Sequence, residues 1–301
     1  GGSMGSILGL PRFDTAEFEA RFPFGKVSLT DKEMPVRVTV LGWSPFIPGD
    51  PDNSSLPVGG LEYVLENTST KPQEMIFSYH ARNFLSWGKG VDAIKVMPHG
   101  FVLSQAGTEA EPHLQGDFAI FTDEDSPKIN YCWFRGGWFD SLTMVWNAIE
   151  SGLMPQSPAV EKGAPGASIF IPVTLMPGDK KTIRIYTAWY VPCSTLRIGE
   201  EPEDWNDNNV APATLALERA DQGNYKPWYS SRFAGIDEVI DYLLTHYKTL
   251  REQTEKFTES FYRSTLPSEV IEAVSANLSI LKSPTVMRQY DGRLWTWEGC
   301  A

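Results

Sequence analysis

Apolar and polar residues alternate in short runs over the first two thirds of the chain, with glycine or proline between the runs. In PVRVTVLGW, Val36, Val38 and Val40 fall on one face, which predicts a half-buried strand. FEARFPFGKVSLT reads as a strand broken at Pro23 and Gly25. LEYVLENTS and QEMIFSYHARN read as a hairpin turning at Lys71–Pro72. VDAIKV, GFVLSQAG, GDFAIFTDE and INYCWFR are further strands. GASIFIPVTLMPGDKKTIRIYTAWYVP reads as the clearest hairpin, with its turn at Pro177-Gly178-Asp179. One helix interrupts the series near SLTMVWNAIESG, where Val145, Ile149 and Leu153 recur every four residues. Many short strands with frequent turn residues predict a mainly β protein, a large two-sheet β-sandwich.

The period changes after residue 200. GEEPEDWNDNN is acidic and unpatterned, and a helical stripe then begins at Gly235. Ile236, Val239, Ile240, Leu243, Leu244, Tyr247 and Leu250 form one face of a helix expected to reach about Phe261. A second helix opens near Pro267, carries Ile271, Val274, Leu278 and Leu281, and stops at Pro284. These changes divide the chain into a β-sandwich over 1–200, an extended linker over 201–234, and a helical segment with an aromatic tail over 235–301.

Composition narrows the function classes. Basic residues number 26 against 38 acidic, a net charge of −12, which argues against a nucleic-acid surface. No run is long and apolar enough for a transmembrane segment. Cys132, Cys193 and Cys300 show neither paired nor metal-ligand spacing, so a reducing, cytoplasmic setting is expected, with no metal and no cofactor. Sequons stand at Asn53, Asn67 and Asn277, and in that setting they are expected to stay unmodified. The opening GGSMGS reads as a trimmed or appended start.

Local chemistry offers few sites. Nucleophile-elbow, phosphate-loop, dinucleotide and zinc-helix motifs are all missing from the sequence. His80, His99, His113 and His246 are scattered and read as structural or exposed; Cys132 in YCWF reads as a small buried hydrophobe. Asp140 after GGWF and Glu298 after WTW are the two acids in aromatic settings. The alternative to acid–base chemistry is a helix cap for Asp140 and a junction contact for Glu298. Trp133, Phe134, Trp138, Phe139 and Trp146 form one aromatic cluster, and Trp228, Tyr229, Trp295 and Trp297 another. Either could pack a core or face a sugar.

Several blocks carry a resemblance. FPFG (22–25), DKEMPVRV (31–38), SPFIPGDPDNSSLPV (44–58) and LENTS (65–69) resemble the N-terminal region of glycoside hydrolase family 116, the non-lysosomal glucosylceramidases and related bacterial β-glucosidases. GGWFD (136–140), LMPGDKKTIRIYTAWYVP (175–192), STLPSEVIEAVSANLSIL (264–281) and DGRLWTWEGC (291–300) continue it in order over nearly the whole chain. Ahead of FPFG, the family's Gly-rich opening is represented only by GGSMGSILGLP.

The resemblance implies a β-sandwich followed by the start of an (α/α)6 barrel. It implies a retaining hydrolase of a β-linked glucoside or glycolipid, with a glutamate nucleophile and an aspartate acid/base. In the family both acids lie downstream of the WEG segment, and no position here matches either, so no catalytic residue is assigned. The chain then reads as a fragment (a cut-out domain, a cleaved product or a truncated gene) or as a stand-alone module. The expected partner is a catalytic barrel in the same or another chain, and this chain alone is expected not to hydrolyse. The helices from Gly235 to Ser283 are expected to bury their apolar faces partly against that barrel and to leave a patch without it.

Overall fold

The computed structural model describes residues 10–86, 91–137, 139–194 and 226–296. It shows a mainly β protein with helices at its C-terminal side. An eight-stranded antiparallel sheet runs in the order β1-β2-β3-β4-β11-β8-β7-β6. Its strands are β1 (Thr15–Arg21), β2 (Phe24–Thr30), β3 (Val36–Trp43), β4 (Val58–Asn67), β6 (Asp92–Met97), β7 (Gly100–Gln105), β8 (Gly116–Thr122) and β11 (Lys180–Tyr190). A three-stranded sheet, β5-β10-β9, is made of β5 (Gln73–Arg82), β9 (Lys128–Asn130) and β10 (Gly166–Leu175).

The sheets pack face to face. Ile94, Phe101, Leu103, Ile120, Ile183 and Ile185 of the large sheet meet Ile169, Ile171 and Val173 of the small one. The other face of the large sheet is also covered. There Val102, Ala119, Phe121, Tyr186 and Ala188 meet Val239, Ile240, Leu243 and Leu250 of a long helix. β7 is therefore buried at every position, whereas a sheet with one wet face would alternate.

The helices are α1 (Pro51–Ser54), α2 (Ser141–Glu150), α3 (Tyr229–Arg232), α4 (Ile236–Tyr262) and α5 (Ser268–Leu278). α4 follows the predicted stripe, with Ile236, Val239, Ile240, Leu243 and Leu250 buried and Leu244 exposed. Its apolar face lies on the large sheet. Pro267 is the N-cap of α5. A 3-10 turn, Ser279–Lys282, follows it, and then a hairpin of β12 (Val286–Arg288) and β13 (Leu294–Thr296).

Three strand pairings differ from the sequence reading. FEARFPFGKVSLT is two strands, β1 and β2, which reverse at Phe22–Pro23 and pair along their whole length. β4 and β5 are not a hairpin: β4 pairs with β3 and β11, while β5 pairs with β10. β10 and β11 are not a hairpin either, because β11 lies between β4 and β8 in the other sheet. Both connections are arches that carry the chain across the core.

One residue explains why the arches form side by side. Asn67 is 1% exposed at the end of β4. Its Nδ2 donates to Lys71 O at 2.8 Å and to Leu175 O at 2.9 Å. Its Oδ1 accepts from Ser69 N at 2.9 Å and Ser69 Oγ at 2.8 Å. Its backbone binds the second arch, donating to Asp179 O and accepting from Gly178 N, both at 3.0 Å. Gly178 takes φ +80°, a left-handed geometry suited to glycine.

Candidate functional site

Among the described residues, Asp140 and the four histidines do not converge. Asp140 caps α2: its Oδ2 accepts from Thr143 N at 3.0 Å and Thr143 Oγ1 at 3.1 Å. Arg82 lies 3.8 Å from its other oxygen. Glu298, Trp297, Trp138 and Cys300 lie outside the described residues.

His80 joins a buried chain of hydrogen bonds in the small sheet. Its Nδ1 is 2.7 Å from Ser168 Oγ and its Nε2 2.9 Å from Ser78 Oγ. Trp133 Nε1 donates to the same Ser168 oxygen at 2.7 Å. Burial lowers the His80 pKa to about 4, so the ring is neutral at pH 7. A Ser–His pair at this distance resembles a nucleophile and its base, but Ser168 is fully buried and no substrate reaches it.

His99 stands in the turn between β6 and β7 with φ 58°, and His113 in the short 3-10 turn Pro112–Leu114. His246 packs on Tyr242 at 4.3 Å. Cys132 is buried, donates to Trp133 O, and has its pKa pushed up by burial, the state of an inert thiol. Among the described residues, no group of three or more His, Cys, Asp or Glu gathers as a metal site would require.

The aromatic clusters divide. Trp133 and Trp228 are buried, whereas Phe134 and Phe139 are exposed. Trp295 is half-buried in β13.

The functional geometry concentrates where the C-terminal elements join the sheets. One side of α4 carries a row of polar anchors. Tyr242 OH donates to Asn53 Oδ1 at 2.8 Å, and Tyr247 OH to Glu62 Oε1 at 2.8 Å. Arg251 Nε donates to the same Glu62 oxygen at 2.9 Å while its guanidinium lies over Phe24 at 4.6 Å. Phe46 N donates to Thr254 Oγ1, Thr258 Oγ1 to Phe22 O, and Phe22 N to Tyr262 OH. Spacings of three to five residues keep these groups on one helix face. Burial, then the Glu62 carboxylate, hold the Tyr247 phenol protonated.

The segment 44–55 ties both helices down. Asp50 caps α1 and binds Asn53 N at 3.0 Å and Asn53 Nδ2 at 2.6 Å. Lys282, past α5, donates from Nζ to Ser54 O at 2.8 Å and Pro45 O at 3.1 Å. Arg288 Nη2 meets Asp52 at 2.8 Å, and its Nη1 donates to Pro51 O at 3.1 Å. Its guanidinium lies 4.0 Å from the Trp228 ring centre, and Trp228 N donates to Arg288 O.

Two cavities flank this junction. One, of about 420 Å³, is walled by Ser44, Ser55, Trp228, Lys282 and Arg288, among others. The other, of about 720 Å³, lies between the β1–β2 turn, Tyr262 and α5, with Lys282 on its wall as well. Sequence reading missed Lys282 and Arg288. The carbonyls of Pro45, Ser54 and Pro51 that bind them lie more than 200 residues away in the chain, so no local signal marks that contact.

Beyond this junction α5 buries little. Ile271 is buried, but Val274 is 44% exposed, and in the 3-10 turn that follows Ile280 is 49% and Leu281 46% exposed.

The comparisons with known proteins agree with this architecture at the level of family. The sequence profile described as "beta-glucosidase 2, glycosyl-hydrolase family 116 N-term" matches residues 6–250. The chain belongs to that family. The match spans the sandwich and residues 236–250 of α4. No curated protein matches it. Among solved structures it is similar, at 12% identity and a TM-score of 0.40, to a protein provisionally assigned as a kojibiose phosphorylase from human microbiome. That match covers 83% of this chain and 26% of the other. A TPR-domain containing protein from Parabacteroides distasonis is similar at 12% identity and a TM-score of 0.28, over 89% of this chain and 56% of that one. The chain thus spans about a quarter and about half of these two structures. Among the described residues no helix is long and apolar enough to cross a membrane.

Proposed function

We propose that this chain is the non-catalytic N-terminal portion of a retaining β-glucosidase or glucosylceramidase-like hydrolase, and that it supports a catalytic (α/α)6 barrel supplied in the same or another chain. The carrying observation is the family match over 6–250 together with the row of anchors that fixes α4 to the sandwich. In this reading the divisions 1–200, 201–234 and 235–301 are the sandwich, its linker and the beginning of the barrel side. The exposed Val274 of α5 and the exposed Ile280 and Leu281 of the 3-10 turn after it support it, because an apolar patch is stable in water only at a cost that a partner would remove. The substrate of the complete enzyme is a β-linked glucoside or glycolipid. The setting is cytoplasmic, supported by the free thiols of Cys132 and Cys193 and by the buried sequon at Asn67.

The test is hydrolysis of a synthetic β-glucoside by the chain alone and by the chain with a family barrel supplied. Turnover is expected only with the barrel. Enzyme-like release by the pure chain, lost on mutating one of its own acids, overturns the proposal.

A second reading, a stand-alone carbohydrate-binding or scaffolding module, is favoured by the exposed rings of Phe134 and Phe139. It predicts sugar affinity without turnover, weakened by alanine at either phenylalanine.

A further inference from the structure

We propose that the 420 Å³ cavity at the junction binds a small molecule bearing an oxyanion, a carboxylate or a phosphate group, with Lys282 as the cation that receives it. This goes beyond the reading above and does not depend on it. A cavity of this volume is in the range that holds small ligands.

The composition of its wall sets the ligand class. In a chain of net charge −12, the wall holds Lys282 and Arg288, serine hydroxyls and indole rings, and no carboxylate. Arg288 pairs with Asp52 at 2.8 Å, and Arg232 lies 3.8 Å from that same carboxylate. One carboxylate thus serves two guanidiniums, and Lys282 adds a third positive charge to the junction.

Lys282 itself has bonding capacity left over. An ammonium has three N–H donors. Two are taken by neutral carbonyls, Ser54 O and Pro45 O, and the third has no acceptor among the described residues. No carboxylate lies within ion-pair distance of Nζ among those residues. A desolvated cation with a spare donor on a cavity wall is matched by an anionic oxygen, which makes a short charge-assisted bond.

Burial lowers the Lys282 pKa to about 8, because the two neutral carbonyls replace its hydration only in part. The titratable groups around it are Arg288 and Tyr229 on this cavity, and Tyr262 and Glu272 on the 720 Å³ cavity. Glu272 would repel an anion from its own side, so the ligand enters from the Arg288 side. Tight binding requires protonated Lys282, so affinity is highest below about pH 8 and falls above it.

Sulfate is the first probe, because it does not titrate in this range. Equilibrium dialysis with labelled sulfate should show saturable binding. Lys282→Gln should weaken it about tenfold or more, Lys282→Arg should retain it, and Lys248→Gln on the exposed face of α4 should leave it unchanged. Acetate and inorganic phosphate as competitors separate the two oxyanion sources. Should both Lys282 variants unfold, the wild-type side chain reports directly. Its titration midpoint, read by NMR at Cε, should rise when sulfate is added. Absent saturable binding, undiminished binding by a folded Lys282→Gln, or an unmoved Lys282 midpoint overturns the proposal.

Discussion

Asn67→Ala is the most informative single change, because one side chain serves both arches. The substitution removes four side-chain hydrogen bonds, to Lys71 O, Leu175 O, Ser69 N and Ser69 Oγ. They are not equal. The bond to Leu175 O is buried, so that carbonyl loses its donor with no water to replace it, at about 1–3 kcal/mol. The other partners sit nearer the surface and can turn to solvent, so each contributes about 0.5 kcal/mol. The expected loss is about 3 kcal/mol, a fall of roughly 5 °C in Tm for a chain of this size.

Asn67→Asp sharpens the test. It keeps the shape but turns a carboxylate oxygen toward two carbonyl oxygens, so at pH 7 it should destabilise more than alanine. The pKa of that new acid is expected to be raised. Its penalty should therefore shrink as pH falls through the carboxylate range and the protonated acid regains a donor. Urea unfolding followed by circular dichroism at pH 7 and pH 4, each variant against wild type at the same pH, measures both. An alanine cost below about 1 kcal/mol, or an aspartate milder than alanine at pH 7, would refute the view that Asn67 holds the arches together.

Glu62→Gln should cost about 1–2 kcal/mol, read from denaturant midpoints, because it weakens the charge-assisted bonds of Arg251 and Tyr247 to this carboxylate while Arg251 keeps Glu255 at 3.2 Å. His80 has a folded pKa near 4, below its unfolded value, so the unfolded chain binds the extra proton. Stability should then fall by up to about 3 kcal/mol as pH drops from 6.5 to 4, and His80→Asn should flatten that slope. Val274→Glu on the exposed face of α5 should reduce self-association in light scattering without lowering the denaturant midpoint by more than about 0.5 kcal/mol. In a secretory host, Asn277 on its exposed helix should be glycosylated and Asn67 should not, by mass spectrometry of the tryptic peptides.

Elements were more legible in the sequence than partnerships. α4 could be read because its stripe of Ile236, Val239, Ile240, Leu243 and Leu250 repeats at the helical period, and that period is a local property. The strands on either side of Lys71–Pro72 and of Pro177-Gly178-Asp179 were also legible. Whether a turn closes a hairpin or an arch was not. That depends on which sheet each strand's buried face meets, and Asn67 decides it by bonding to Leu175, 108 residues away. The junction was invisible for the same reason. Lys282 at the end of ILK looks like any solvated lysine, and only the fold brings Pro45 and Ser54 to it. The aromatic tail DGRLW was partly legible: the turn at Asp291–Gly292 is present, with Gly292 at φ +89°, and it closes the hairpin of β12 and β13.

The anchors along α4 have a mechanical consequence. At 27 residues the helix is a strut about 40 Å long. It is fixed at one end by Tyr190 OH on Phe233 O and at the other by Tyr262 and Thr258 on Phe22. An ångström of play at either end tilts such a strut by only one to two degrees, roughly, over that length. The sheet therefore works as a jig: it aims α5 and the β12–β13 hairpin, and a load applied to them is carried across the sheet from Tyr190 in β11 to Phe22 at the β1–β2 turn.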